Sequence, residues 1–132
     1  MKRAVIAVSM VVALVLASVA LAAAVNLHGT YQTTIKSSVG GGVLNGTWTI
    51  KFKRPHYTVT ENGTVELRGK YKIKGTTITF HDKTGRDVCP GPGKYKVNLT
   101  GTTLTFTLIS DSNPNCVGRR TVLAGTFTKV VG

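Results

Sequence analysis

Gly69-Lys70-Tyr71-Lys72-Ile73, followed by Gly75-Thr76-Thr77-Ile78-Thr79-Phe80, recurs as Gly93-Lys94-Tyr95-Lys96-Val97 followed by Gly101-Thr102-Thr103-Leu104-Thr105-Phe106. Within each copy, apolar or aromatic side chains alternate with lysine or threonine. That period of two gives a strand one face against a core and one face in water. Gly75-Thr76 and Gly101-Thr102 carry turn chemistry, so each copy reads as one β-hairpin. The lead-in obeys the same rule: Val65, Leu67, Gly69, Tyr71 and Ile73 share one parity, and Glu66, Arg68, Lys70, Lys72 and Lys74 the other.

The pattern extends outward in both directions. Trp48, Ile50 and Phe52 oppose Thr47, Thr49, Lys51 and Lys53, while Leu104, Phe106 and Leu108 oppose Thr103, Thr105 and Thr107. Turn signals at Asn62-Gly63 and Gly40-Gly41-Gly42 complete a set of about eight strands, centred near residues 33, 49, 58, 68, 79, 97, 106 and 125. No stretch after residue 25 has a helical period, so the domain is expected to be all-β. A sheet with one apolar face and no helix to cover it closes into a barrel or folds into a sandwich. Closure removes exposed edges, and Gly69 in mid-strand suits a sharp bend. The expectation is an antiparallel up-and-down β-barrel of about eight strands, with Tyr57, Val59, Val65, Leu67, Tyr71, Tyr95, Leu99, Leu108, Leu123 and Phe127 among its inward residues.

The N-terminus places Lys2 and Arg3 before an uncharged apolar run from Ala4 to Val25, with small-x-small pairs at Ala20, Ala22 and Ala24. This is the pattern of a secretory signal peptide, assigned to residues 1–24, with the barrel domain over residues 25–132. The run is also long enough to span a bilayer, and an uncleaved leader would tether the domain to a membrane. Either way the domain is expected outside the cytoplasm, secreted or extracytoplasmic. Removing Lys2 and Arg3 from the 17 basic residues leaves 15 against 5 acidic ones. A basic protein of this kind favours anionic surroundings. Cys89 and Cys116 are the whole thiol inventory, and an even count in an exported chain reads as a disulfide bond.

Gly46-Thr47-Trp48 at the head of a strand is similar to the G-x-W of lipocalins and their calycin relatives. Arg119 or Arg120 is similar to the arginine that those proteins pack across the tryptophan. The stretch from Gly69 to Leu123 resembles uncharacterised bacterial secreted lipocalin-like proteins, through Tyr71, Cys89, Tyr95, Asp111, Cys116 and Arg119. The chain departs from lipocalins proper in having no helix-like segment near the C-terminus. The resemblance implies fold more than function.

An eight-stranded barrel is either filled by its own side chains or holds one small ligand. The ligand reading expects a small hydrophobic molecule against Trp48, Phe52, Tyr71, Phe80, Tyr95 and Phe106, with Arg119 or Arg120 near its head group. No enzyme is expected. His28, His56 and His81 are far apart, His56 and His81 point outward by parity, and no nucleophile has a base beside it. Among the carboxylates, Glu61 and Asp82 fall on inward parity, both at strand ends. No cofactor and no metal is expected: Asp111-x-Asn113-x-Asn115 opens like a calcium loop, but Cys116 and Val122 stand where glycine and glutamate are needed. Asn45, Asn62 and Asn98 head formal glycosylation sequons, and the Asn-Gly-Thr of the first two is also ordinary hairpin chemistry.

Lys51, Lys53, Lys70, Lys72, Lys74, Lys94 and Lys96 fall on outward parity as stripes without interleaved aromatics, which argues against nucleic acid. The stripes are either a solvated face or an attachment to an anionic envelope surface. A third reading is a protein-interaction module such as a secreted protease inhibitor, with Asn26 to Leu44 as its inserting arm.

Overall fold

The alternating segments become eight strands: β1 (Gly29–Ile35), β2 (Gly46–Lys53), β3 (His56–Glu61), β4 (Thr64–Lys74), β5 (Thr77–Gly85), β6 (Gly93–Thr100), β7 (Thr103–Ser110) and β8 (Phe127–Val131). The computed structural model describes residues 25–131, and the leader assigned to residues 1–24 lies outside the described residues. Each strand pairs antiparallel with its neighbour in sequence, and β8 returns to β1 to close the barrel. The expected up-and-down barrel is therefore the fold. It is compatible with the lipocalin-like architecture.

The two repeat copies differ in reach. In the first, Tyr71 faces Phe80 across β4 and β5. In the second, the extra residues before Gly101 lengthen the hairpin, so that Val97 faces Phe106 and Tyr95 faces Leu108.

Even strand number divides the connections between two ends. One end has the short turns at residues 54–55, 75–76 and 101–102. Val25 donates its N–H to the Gly75 carbonyl there, and the Tyr71 hydroxyl donates to the Leu27 carbonyl, so the segment before β1 lies across this end. Leu27, Tyr31, Phe52 and Tyr71 are all buried behind it. The opposite end carries the long connections at residues 36–45, 86–92 and 111–126, beside the tight Asn62-Gly63 turn. The Cys89–Cys116 disulfide ties two of these connections together.

Edge-to-face contacts link Tyr31, Phe52 and Tyr71, and likewise Tyr57, Phe80, Tyr95, Phe106 and Phe127, and a tilted contact between Tyr71 and Tyr57 joins the two groups. Such pairs favour a T-shaped approach of positive edge to negative face and lock the rings in place.

Several expectations need correction. A short helix, α1 (Val117–Leu123), precedes β8, so Leu123 sits on a helix and the C-terminal region is not free of helix. Seven residues make under two turns, too few for a helical period to show. Val65 is 39% exposed, because pairing between β3 and β4 slips by one residue after Val59, placing Glu66 inward at 4%. Such a bulge reverses the parity of what precedes it. Leu108 is also exposed: β8 begins opposite Leu104, so no strand covers Leu108 on that side. The segment from Asn26 to Leu44 contains β1, paired on both edges, and so is not a free arm. No helix among the described residues is long and apolar enough to cross a membrane.

Candidate ligand cavity at the open end

The end with the long connections opens into a cavity of about 480 Å³. Inward residues of the first strands build its walls: Trp48 and Ile50 on β2, Tyr57 and Val59 on β3, Leu67 on β4 and Phe80 on β5. Val122 and Leu123 of α1, Val43 and Leu44 of the first connection and Val88 of the connection at residues 86–92 add to the apolar lining. Tyr57 and Phe80, with ring centroids 5.1 Å apart, separate the cavity from the aromatic filling beyond. Trp48 is held by its own indole N–H, which donates to the Leu44 carbonyl at 2.7 Å.

A buried polar cluster forms one side. Arg119, on α1, donates from Nε and Nη2 to both oxygens of Asp111, each at 2.8 Å. Its Nη1 lies 3.5 Å from Asp82 Oδ1 and has no hydrogen-bond partner among the described residues. The Arg119 side chain is only 7% exposed, and those of Asp82 and Asp111 1%. The Tyr57 hydroxyl donates to Asp82 and the Tyr95 hydroxyl to Asp111. The Cys89 backbone N–H donates to the other Asp82 oxygen at 2.9 Å. Every carboxylate oxygen of this pair is thereby engaged, as burial of charge requires.

The charge states follow from these contacts. Burial on its own would raise Asp111, but hydrogen bonds from Arg119 and Tyr95 outweigh it and hold the carboxyl below its ordinary value. Burial opposes the charge on Arg119, and the hydrogen bonds to Asp111 together with the Asp82 carboxylate reverse this and raise it. Burial first, then the neighbouring carboxylate, pushes the Tyr57 and Tyr95 hydroxyls up, so both remain proton donors.

Two glycines make room for the cluster. A Cβ on Gly93 would meet Arg119 Nε and Asp111 Oδ2 at 2.8 Å, closer than real Cβ contacts come. One on Gly69 would run into the Tyr57 ring and the His81 carbonyl. The glycine that opens each repeat copy thus leaves space for a polar partner of the same site. Gly69 earns its place by this close approach.

All five acidic residues of the chain gather at this end. Glu61, Asp82 and Asp87 line the cavity with Arg86 and Arg119. Glu66, behind the wall, bonds Arg86 at 2.5 Å and is raised by burial and by its hydrogen bond with Asp87.

Of the residues expected to bind a ligand, Trp48, Phe80 and Arg119 line the cavity. Phe52, Tyr71, Tyr95 and Phe106 are buried in the filled part of the barrel instead. Among the described residues no cation–π contact joins Arg119 to Trp48; Arg119 engages Asp111 and Asp82. Arg120 faces elsewhere, donating to the carbonyls of Asp111 and Asn113 at 2.6 and 2.9 Å. Asp111 belongs to this network and not to a calcium loop. Cys89, Asp111 and Cys116 lie within 4.8 Å of one another, but the sulfurs are bonded together and the carboxylate is taken by Arg119 and Tyr95, so the trio does not suit a metal.

His28 and His56 are exposed, and His81 is half-buried on the outer side. Burial and then the neighbouring Lys83 and Lys72 lower His81. Compared with protein-family models, curated proteins and solved structures, the chain matches none.

Proposed function

We propose that the protein is an extracytoplasmic lipocalin-like carrier that binds a small hydrophobic ligand at the open end of its barrel. The observation that carries the reading is the cavity of about 480 Å³, within the size range of small-molecule sites, apolar along most of its wall with a few convergent polar groups. The disulfide supports an oxidising compartment, where such bonds persist. Trp48 is the natural reporter, since it is the sole tryptophan and lines the cavity. Titration with apolar probes is expected to change its emission saturably, with one molecule bound per barrel. Val59→Phe, which adds bulk to the same wall without adding a second tryptophan, is expected to abolish this change in a folded protein. A broad panel of apolar probes without saturable binding would end the reading.

A second reading concerns the outer face. The register sets Lys53 and Lys70 on either side of His56, Lys72 and Lys94 on either side of Thr79, and Lys74 and Lys96 on either side of Thr77. These lysines are exposed, so five neighbouring strands present positive charge with mostly threonine and histidine between. That surface suits an anionic envelope polymer or lipid head groups. Binding to anionic vesicles that survives moderate salt unchanged would count against it.

A further inference from the structure

Resting on the carrier reading, we infer that the cavity takes an uncharged apolar molecule bearing one hydrogen-bond-accepting oxygen, such as an alcohol, ketone or ester, and discriminates against the corresponding carboxylate.

An arginine at the mouth of an apolar cavity ordinarily suggests an anionic head group. Here that charge is already spent. Arg119 forms a two-pronged pair with Asp111 and has Asp82 at 3.5 Å. Two carboxylates therefore hold this guanidinium, and the cavity lining sets Glu61, Asp82 and Asp87 against Arg86 and Arg119, so an incoming carboxylate would meet a wall of negative balance. The rim has the same sign: Glu61 and Asp87 line it, and its cation, Arg86, is paired with Glu66. Low polarity strengthens the repulsion from the buried Asp82, because Coulomb energy rises as the effective dielectric constant falls, whereas the exposed Asp87 adds less through solvent screening.

Arg119 nevertheless retains something to offer. Its Nε and Nη2 turn toward Asp111, which does not line the cavity, whereas Nη1 lies on the side of Asp82, which does. Among the described residues Nη1 is the buried side-chain nitrogen with no acceptor, and because it is covered, a ligand oxygen meets it only as the side chains beside it give way. Leaving a buried donor unmatched is costly, and an acceptor that reaches it recovers that cost. A neutral oxygen meets the demand without adding charge. Asp82 does not meet that demand, since its Oδ1 stands 3.5 Å from Nη1 without forming a hydrogen bond.

The test uses ligands of one chain length and different heads. Decanol, decanoate and decylamine are titrated at pH 7 below their micelle concentrations, with Trp48 emission as the signal. Decanol is expected to bind at least about tenfold more tightly than decanoate, a factor well within reach of one charge–charge repulsion. Asp82→Asn, which keeps the shape, removes the charge and leaves one acceptor oxygen for the Cys89 N–H, is expected to narrow the preference for decanol over decanoate by several-fold. Equal or tighter binding of decanoate to the native protein overturns the inference while leaving the carrier reading in place. Tightest binding of decylamine also overturns it, marking the cavity as a cation site. If none of the three binds and apolar probes also fail, the carrier reading falls, and this inference with it.

Discussion

The two ends of the barrel solve the same problem with different materials. At the end with short turns, Leu27, Tyr31, Phe52 and Tyr71 fill the interior with apolar bulk, and the segment before β1 lies over them. At the other end, long connections, a disulfide and a buried Arg119–Asp111–Asp82 cluster take the place of packing. Apolar filling leaves no room; a charged cluster stands to one side and leaves a cavity. A buried ion network is weak as a source of stability, because desolvation offsets most of its attraction, but it fixes positions. The contrast teaches that the open end is organised for placement and the closed end for cohesion.

Breaking the cluster is expected to have the largest effect. Arg119→Met leaves two carboxylates buried without a cation and should cost about 3 to 5 kcal/mol in denaturant unfolding; a loss under about 1 kcal/mol would mean that the cluster is not desolvated. Cys89→Ser with Cys116→Ser reopens a loop with a sequence separation of 27. The chain-entropy model assigns this about 3.5 kcal/mol. Faster amide exchange should be confined to residues 86–92 and 111–123. Spread to β1 and β2 would erase the division between the ends.

Phe52→Ala, at the filled end, should cost about 3 kcal/mol with ligand affinity at the other end unchanged within a few-fold. Parallel loss of affinity would show that the two ends are not independent. Acid gives a smaller and graded effect. Because the folded state holds Asp111 below its ordinary 3.8, its contribution is present above that value and is lost as pH falls through the folded one. The stability of Asp111→Asn should depend less on pH in that window. Lys70→Gln with Lys72→Gln, on the exposed wall, should change stability by less than about 0.5 kcal/mol.

The aromatic interior of the barrel was largely legible in the sequence. Parity named Phe52, Tyr71, Phe80, Tyr95 and Phe106 as inward, and all are buried. Much of the cavity wall was legible for the same reason, since Trp48, Ile50, Tyr57, Val59, Leu67 and Phe80 lie on regular strands. The polar cluster was not. Asp82 carried the right parity, but parity gives no partner. Asp111 lies after the last residue of β7, where alternation has ended. Arg119 and Arg120 are adjacent in sequence, and only the helix under them sends one to the cavity and the other to backbone carbonyls. Glu66 was hidden by a slip of one residue in pairing, which no count along a single strand detects.

Val25 bonds to the Gly75 turn, and Val131 pairs with Thr30 at the start of β1, so both limits of the described chain emerge at the filled end. Whatever is joined to either, whether a natural tether, a purification handle or a sensor surface, attaches at the foot of the cup. Its lip then faces the solution, free to load and unload.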